Sequence, residues 1–101
     1  MAAELLEVIY QRRASRDVRT AYLWYEEQRP GLGEEFLAAL KDAEDFLATM
    51  PLACPLLHRN TRRILLKRFP YGLYFRLDQA TVIVVACYHG SRNPEGWKRR
   101  R

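Results

Sequence analysis

The spacing of apolar residues divides this chain into a helical first half and a strand-rich second half. Leu5–Tyr10 is a short apolar run with β-branched residues, which predicts a first strand, although its spacing also suits the start of a helix. Between Val18 and Tyr25, and again between Phe36 and Met50, apolar residues recur at helical spacing. These two stretches therefore predict two amphipathic helices.

Capping and breaking residues predict the limits of the first helix. Ser15 is a favoured N-cap residue, and the carboxylate of Asp17 is expected in the first turn, where it interacts favourably with the helix dipole. The helix is expected to end near Gln28, because Pro30 disfavours helical geometry at the residue before it.

A short connector joins this helix to the next one. The segment Arg29–Gly33 is too short for a linker between domains. The second helix is expected to begin at Leu32 or Gly33 and to end at Thr49, just before Pro51. Two amphipathic helices with so short a connection form an antiparallel helical hairpin. Their apolar faces need a sheet to cover.

A basic hairpin is predicted in the middle of the second half. Ile64–Phe69 and Leu73–Leu77 read as two strands. The turn between them is assigned to Pro70, which cannot donate a ladder hydrogen bond, and to Gly72, which tolerates positive φ.

Two further strands complete the predicted fold. Leu56–His58 is expected as an edge strand, and Thr81–Tyr88, apolar on both faces, as the centre of the sheet. The element order is then β-α-α-β-β-β, which predicts an α+β fold in a single domain over residues 1–101. We expect an N-terminal strand, the antiparallel helical hairpin, and a C-terminal antiparallel sheet of roughly four strands, with the first strand beside the last.

The distribution of charge along the chain indicates a binding partner for the second half. The 101 residues carry a net charge of +5. Residues 1–55 hold 6 basic and 10 acidic side chains, a balance of −4, whereas residues 56–101 hold 11 and 2, a balance of +9. Such polarity favours an anionic partner, either a nucleic acid or an acidic protein. The candidate binding residues lie in the basic half: Arg62, Arg63, Lys67, Arg68, Tyr71, Arg76 and Arg92.

Composition also limits the cellular setting and the cofactors. No run of about 18 apolar residues is present, and the first residues carry acidic side chains within their apolar run, so we expect neither a membrane span nor a signal peptide. Cys54 and Cys87 do not form a disulfide framework and are expected as reduced thiols in a cytoplasmic protein. Two cysteines and two histidines are too few for a metal site, and no cofactor is expected.

Three motifs follow one another along the chain. The first is Trp24-Tyr25-Glu26 with Gln28, followed by Pro30-Gly31-Leu32-Gly33 and Phe36. The second is Arg68-Phe69-Pro70-Tyr71 with Tyr74 and Arg76, and the third is His89, Arg92, Pro94 and Trp97. Together they resemble the RelE/ParE superfamily of bacterial toxins, and the third is similar to its ParE-like branch. In this resemblance Trp24, Pro30, Gly31, Gly33, His89 and Trp97 have structural roles.

The resemblance implies a toxin of a type II toxin–antitoxin pair, with a cognate antitoxin, expected to be acidic, as its partner in a hetero-oligomeric complex. ParE-like members are associated with DNA gyrase and are not nucleases, whereas RelE-like members cleave mRNA on the ribosome without metal. The fold alone does not choose between these activities.

The residues themselves bear on whether this chain cleaves RNA. Metal-free cleavage needs a base, an acid and cations around the phosphate. His89 is the candidate acid or base, but a histidine at a strand end also serves as a capping residue. The middle strands offer arginine, lysine, aromatic and aliphatic residues rather than further acid–base groups. Within the resemblance, this composition favours the ParE-like branch, which implies a non-enzymatic toxin directed at DNA gyrase. A ribosome-dependent endoribonuclease and a non-toxic antitoxin- or nucleic-acid-binding module are the alternatives.

Overall fold

The computed structural model describes residues 5–100, so residues 1–4 and Arg101 lie outside the described part. The described elements follow one another in the order β1 Glu7–Tyr10, α1 Arg12–Gln28, α2 Leu32–Thr49, β2 Leu56–His58, β3 Thr61–Leu65, β4 Tyr71–Asp78, β5 Thr81–His89 and α3 Glu95–Lys98. A single 3-10 turn, Pro51–Ala53, follows α2. Of the helices in this part of the chain, none has both the length and the apolarity needed to cross a bilayer.

The strands form one mixed sheet in the order β1-β5-β4-β3-β2. The α+β class, the helical hairpin and the edge position of β2 are confirmed, and β1 lies beside β5 as expected. The sheet has five strands rather than roughly four, and it is not wholly antiparallel, because β1 runs parallel to β5. The helical hairpin carries the chain from β1 at one edge of the sheet to β2 at the other, and β3 and β4 then lead back to β5 beside β1.

The start of α1 differs from its prediction. The helix begins at Arg12, with Gln11 as the N-cap, so Ser15 lies inside it rather than capping it. Asp17 is therefore beyond the first turn. Its carboxylate accepts a hydrogen bond from the Cys87 backbone N–H and pairs with Arg100. The Asp17 carboxylate is therefore stabilised by these tertiary contacts rather than by the helix dipole.

The connector between the helices follows from its glycines and from one carboxylate. Gly31 has a φ of 90°, a conformation that costs other residues energy. At Gly33 a β-carbon would lie 2.7 Å from the Glu26 side chain, so only glycine allows α1 and α2 to approach. The Glu26 carboxylate accepts hydrogen bonds from the N–H groups of both glycines and thereby caps α2.

The main core lies between the helical hairpin and one face of the sheet, which we call the hairpin face. Phe36 and Leu47 of α2 are fully buried against strand residues such as Leu73, Phe75 and Val84. At one end of this core four aromatic rings pack edge to face or tilted: Tyr25, Phe36, Phe69 and Tyr71.

The opposite face of the sheet, which we call the α3 face, holds a smaller core. A β-bulge places Val85 and Ala86 on the same side of β5, because Tyr74 pairs with Ala86 and Phe75 with Val84. Trp97 of α3 stacks on Tyr74 with ring centroids 4.4 Å apart and is 5% exposed.

The chain beyond α3 is tied back to α1. Arg100 bonds to Asp17 at 2.5 Å and donates to the Val85 carbonyl, and both charged side chains are about one tenth exposed. Gly96 lies against the ring of Tyr88, where a β-carbon would collide with the phenol oxygen. The tail is therefore part of the packed structure.

The basic hairpin turns earlier than predicted. Strand β3 ends at Leu65, and the irregular residues 66–70 lead into β4 at Tyr71. The residue with positive φ is Arg68, at 71°, whereas Gly72 pairs with Leu65 inside the ladder. Assigning the turn to Gly72 was wrong. A side chain at Gly72 would contact the aliphatic part of Arg63, which crosses the strand there.

Candidate functional site

A cleft of about 710 Å³ opens on the α3 face between the β2–β3 turn, strands β4 and β5, and the end of α3. Among residues 5–100, the lining contains five cationic side chains and no carboxylate. The lining residues are His58, Arg59, Asn60, Thr61, Arg76, Val85, Lys98, Arg99 and Arg100. The cleft is therefore shaped and charged for an anion.

Arg76 occupies the floor of this cleft. It faces the same side of the sheet as its register partner Ile83, and the residue is partly buried. Its Nη1 atom is buried and has no hydrogen-bond partner among the described residues. Leaving a buried charged donor unpaired is energetically costly, so an incoming anionic acceptor would satisfy a group that the fold leaves open.

The other cations of the cleft differ in how freely they can reach a ligand. Arg59 and Arg99 are exposed, and Arg59 has a φ of 51° in the tight β2–β3 turn. Lys98 is 3.8 Å from Glu95, a loose pair near the surface. Arg100 already pairs with Asp17, so it shapes the wall of the cleft but its charge is largely neutralised.

Arg62 and Arg63 lie on opposite faces of the sheet. Arg62 pairs in register with Phe75 on the hairpin face, and its Nη1 donates to the Cys54 carbonyl at 2.7 Å. Arg63 pairs with Tyr74 on the α3 face. Of these two predicted binding residues, only Arg63 shares the face of the cleft, and it is not among the residues that line it.

The basic residues of the hairpin turn lie away from the cleft. Lys67 is exposed and lines a small hollow of about 120 Å³ between α2 and β3. Arg68 is bound to Glu35 at 2.7 Å, and Arg29 binds the same carboxylate at 2.8 Å. These hydrogen bonds lower the pKa of Glu35 below its ordinary value, with the bond from Arg68 contributing most.

Tyr71 and His89 lie together at the end of the hairpin face. They are paired in register, and their rings are 5.2 Å apart. Tyr71 also contacts Tyr25 and Phe36 in the aromatic cluster, and burial raises the pKa of its phenol. The His89 Nδ1 accepts a hydrogen bond from the Ser91 N–H at 3.0 Å. The candidate acid–base histidine therefore does not line the cationic cleft.

Arg92 and the two tryptophans complete the set of predicted residues. The Arg92 guanidinium stacks on the ring of Tyr88 at 3.8 Å, and its backbone N–H donates to the His89 carbonyl. Trp97 packs from α3 onto Tyr74, whereas Trp24 packs edge to face on Tyr25 and remains 53% exposed. One side of the Trp24 ring therefore packs within the helical hairpin, and the other side is exposed to solvent.

Several cleft residues were missing from the sequence-based set. Arg59, Lys98, Arg99 and Arg100 line the cleft, but among the seven predicted binding residues only Arg76 does so. The sequence does contain a signal, since residues 98–101 are all basic. Nothing in the spacing showed that α3 folds back onto β4 and β5.

Comparison with protein families identifies the fold and its lineage. The model of the family described as "ParE toxin of type II toxin-antitoxin system, parDE" matches residues 8–94. This chain belongs to the ParE toxin family. Comparison with curated protein sequences gives no significant match. A solved structure titled "Chromosomal ParDE TA system from P. aeruginosa" is similar with a TM-score of 0.74 and 15% identity, covering 86% of this chain and 98% of that one.

The ParE family match ends just before α3. Its last residue is 94, so the part of the cleft formed by Lys98, Arg99 and Arg100 lies beyond the matched region. The matched region includes the strands that line the cleft, and it does not extend to Lys98, Arg99 and Arg100.

Proposed function

We propose that this chain is the toxin of a type II toxin–antitoxin pair, that it acts on DNA gyrase, and that a cognate acidic antitoxin neutralises it. Membership of the ParE toxin family supports the toxin role. The choice of gyrase over mRNA rests on one observation: the cations of the cleft and the candidate acid–base histidine lie on different faces of the sheet.

The chemistry of RNA cleavage explains why this separation matters. A metal-independent ribonuclease needs an acid and a base within hydrogen-bond reach of one phosphodiester. The cleft offers five cations, a single imidazole at His58 and no carboxylate among its lining residues. His89 instead packs against Tyr71 and binds Ser91. The arrangement can hold an anion, but it lacks the pair of proton-transferring groups.

The charge and the surface of the protein both support the proposed antitoxin. The net charge of +5 favours an acidic partner. At the end of α2, a hollow of about 400 Å³ is lined largely by apolar groups, among them Leu6, Met50 and Leu52. Met50 and Leu52 are 55% and 68% exposed, and exposed apolar patches of this kind mark protein interfaces.

Expression of the chain without a partner tests the proposal. We expect growth arrest with an induced DNA-damage response and intact mRNA, and inhibition of gyrase supercoiling by the purified chain. Co-expression of the antitoxin should restore growth. Cleavage of mRNA within codons at the ribosome, with DNA untouched, would contradict the gyrase target. Normal growth would contradict the toxin role and favour the alternative function, a non-toxic binding module.

Two histidine variants separate the activities further. His58→Gln and His89→Gln should both retain arrest, because neither imidazole transfers a proton in the gyrase-directed mechanism. Under ribonuclease chemistry, removal of the histidine that transfers the proton would lower the cleavage rate by about 10²–10⁴-fold. Thermal unfolding of both variants provides the control for folding.

A further inference from the structure

We infer that the cationic cleft continues across the end of the chain onto α1, and that this continuous surface binds the phosphodiester backbone of a nucleic-acid duplex. This contact goes beyond the proposed inhibition of gyrase. A second groove, of about 440 Å³, is lined by Gln11, Arg12, Arg13, Arg99 and Arg100. Arg99 and Arg100 line both the groove and the cleft, so the two are contiguous.

Helix α1 extends the cationic surface by a further turn. Arg12, Arg13 and Arg16 are exposed, and none of them forms an ion pair with another described residue. Residues 12 and 16 lie on one side of a helix and are about 6 Å apart along its axis. We call the cleft residues Arg59, Arg76, Lys98 and Arg99, together with Arg12, Arg13 and Arg16, the arginine track.

The spacing of charges favours a polyphosphate over a single anion. One strand of a duplex carries a phosphate about every 3.4 Å of its axis, so Arg12 and Arg16 are separated by about two phosphates. The buried, unpaired Nη1 of Arg76 supplies a fixed donor at the other end of the track. Guanidinium groups match phosphate oxygens in a bidentate geometry.

The lining of the track disfavours an acidic protein as its ligand. Protein interfaces have an apolar core with exposed aromatic or aliphatic side chains. Val85, the apolar residue of the cleft, is buried, and the large exposed apolar side chains, such as Met50 and Leu52, do not line the cleft or the groove. The track offers charge without apolar anchors, which suits a phosphate backbone.

The aromatic residues near the track disfavour a single strand. Proteins that bind single strands stack bases on exposed aromatic rings. Trp97 is 5% exposed, and Tyr88 is 2% exposed and covered by the Arg92 guanidinium. A backbone contact with a duplex therefore fits the track better than base stacking.

Fluorescence anisotropy with the purified chain tests this inference without gyrase. The longest dimension of the molecule is 42 Å. A labelled DNA duplex of about 20 base pairs is therefore long enough to span it. We expect binding at about 50 mM salt that weakens steeply by about 200 mM, and weaker binding of one strand alone. An RNA duplex of the same length shows whether the contact discriminates between the two backbones.

Charge-matched variants locate the contact. Arg76→Gln and Arg12→Gln should each weaken duplex binding by about tenfold and reduce the salt slope by about one unit. Lys41→Gln removes the same charge from an exposed site on α2, where the lysine pairs with Asp45, and should have little effect. Arg12 is exposed, so its variant keeps the test valid even if Arg76→Gln fails to fold.

The inference would be overturned by no duplex binding at about 50 mM salt, by equal effects of Arg12→Gln and Lys41→Gln, or by tighter binding of the single strand. Competition by polyglutamate as strong as that by duplex at equal charge would do the same, since it would identify an acidic protein surface. The supercoiling assay is independent of these results, so failure of the gyrase proposal and failure of duplex binding remain distinguishable.

Discussion

The two faces of the sheet are covered in different ways and carry different kinds of residue. On the hairpin face, two long helices bury aromatic and aliphatic side chains such as Phe36 and Phe75. On the α3 face, a single short helix covers Tyr74 and Val85 and leaves a cleft beside it. Fifteen buried residues form the first cluster and six form the second, so most of the burial that stabilises the fold lies on the hairpin face.

This difference shows how a small basic domain accommodates its charge. On the hairpin face Arg62 donates to a carbonyl, and at the β3–β4 turn Arg68 pairs with Glu35, whereas Lys67 is exposed. On the α3 face, the buried Nη1 of Arg76 has no hydrogen-bond partner among the described residues. Because the hairpin face supplies most of the buried apolar area, the α3 face can retain an unsatisfied charge for a ligand.

The strongest test of the difference between the two faces is a mutation that creates a cavity in the core of the hairpin face. Phe36→Ala should lower the free energy of unfolding by about 3–5 kcal/mol, because a fully buried ring is lost from the packed core. Urea denaturation measures the change. Phe46→Ala on the same helix, where the ring is 39% exposed, is the control and should cost much less. Equal losses would show that the hairpin face does not dominate stability.

The link between the two faces is tested by the buried ion pair. Asp17→Asn should lower the free energy of unfolding by roughly 3 kcal/mol, since it leaves the Arg100 guanidinium buried without its counter-charge. Amide exchange should show faster opening of residues 95–100. The control is Asp45→Asn, which breaks an exposed pair with Lys41 and should cost about 0.5 kcal/mol or less. A similarly small loss for Asp17→Asn would mean that packing of Trp97 alone holds α3.

The smallest effect is expected for Glu35 of α2, which pairs with Arg68 at the β3–β4 turn. The folded pKa of Glu35 is lowered from 4.5, so its pairing stabilises the protein above that pH, and this contribution is lost as pH falls through the lowered value. Glu35→Gln should therefore flatten the dependence of the melting temperature on pH below about 4.5. Glu34→Gln, next to it on α2, is the control. Parallel profiles for Glu35→Gln and the unmodified chain would contradict the assignment.

Local sequence signals located most elements, because they depend on neighbouring residues. Helix α1 ends at Gln28 and α2 runs from Leu32 to Thr49, as proline placement and apolar spacing predicted. The start of α1 was missed, since Asp17 looked like a first-turn acid. Its partners, Cys87 and Arg100, lie 70 and 83 positions further along the chain, and no local rule detects them.

The candidate site was less predictable than the fold. The sequence showed which half is basic, and it marked Arg76, but it grouped this residue with Arg62 and Arg68, which lie elsewhere. The four arginines of α1, namely Arg12, Arg13, Arg16 and Arg19, were hidden in a half whose net charge is negative. The net charge of a segment of sequence does not show how its charged side chains are distributed over the folded surface.

By itself, then, the sequence determined the helical hairpin, the α+β class, the strands and the excess of positive charge, since these depend on periodicity, on proline and glycine, and on composition. Only the tertiary structure decided which cations share a surface. The parallel pairing of β1 with β5 brings α1 beside the sheet, and the Asp17–Arg100 pair ties the chain's end to it. Residues far apart in the chain thereby line one continuous groove, because long-range pairing places them there.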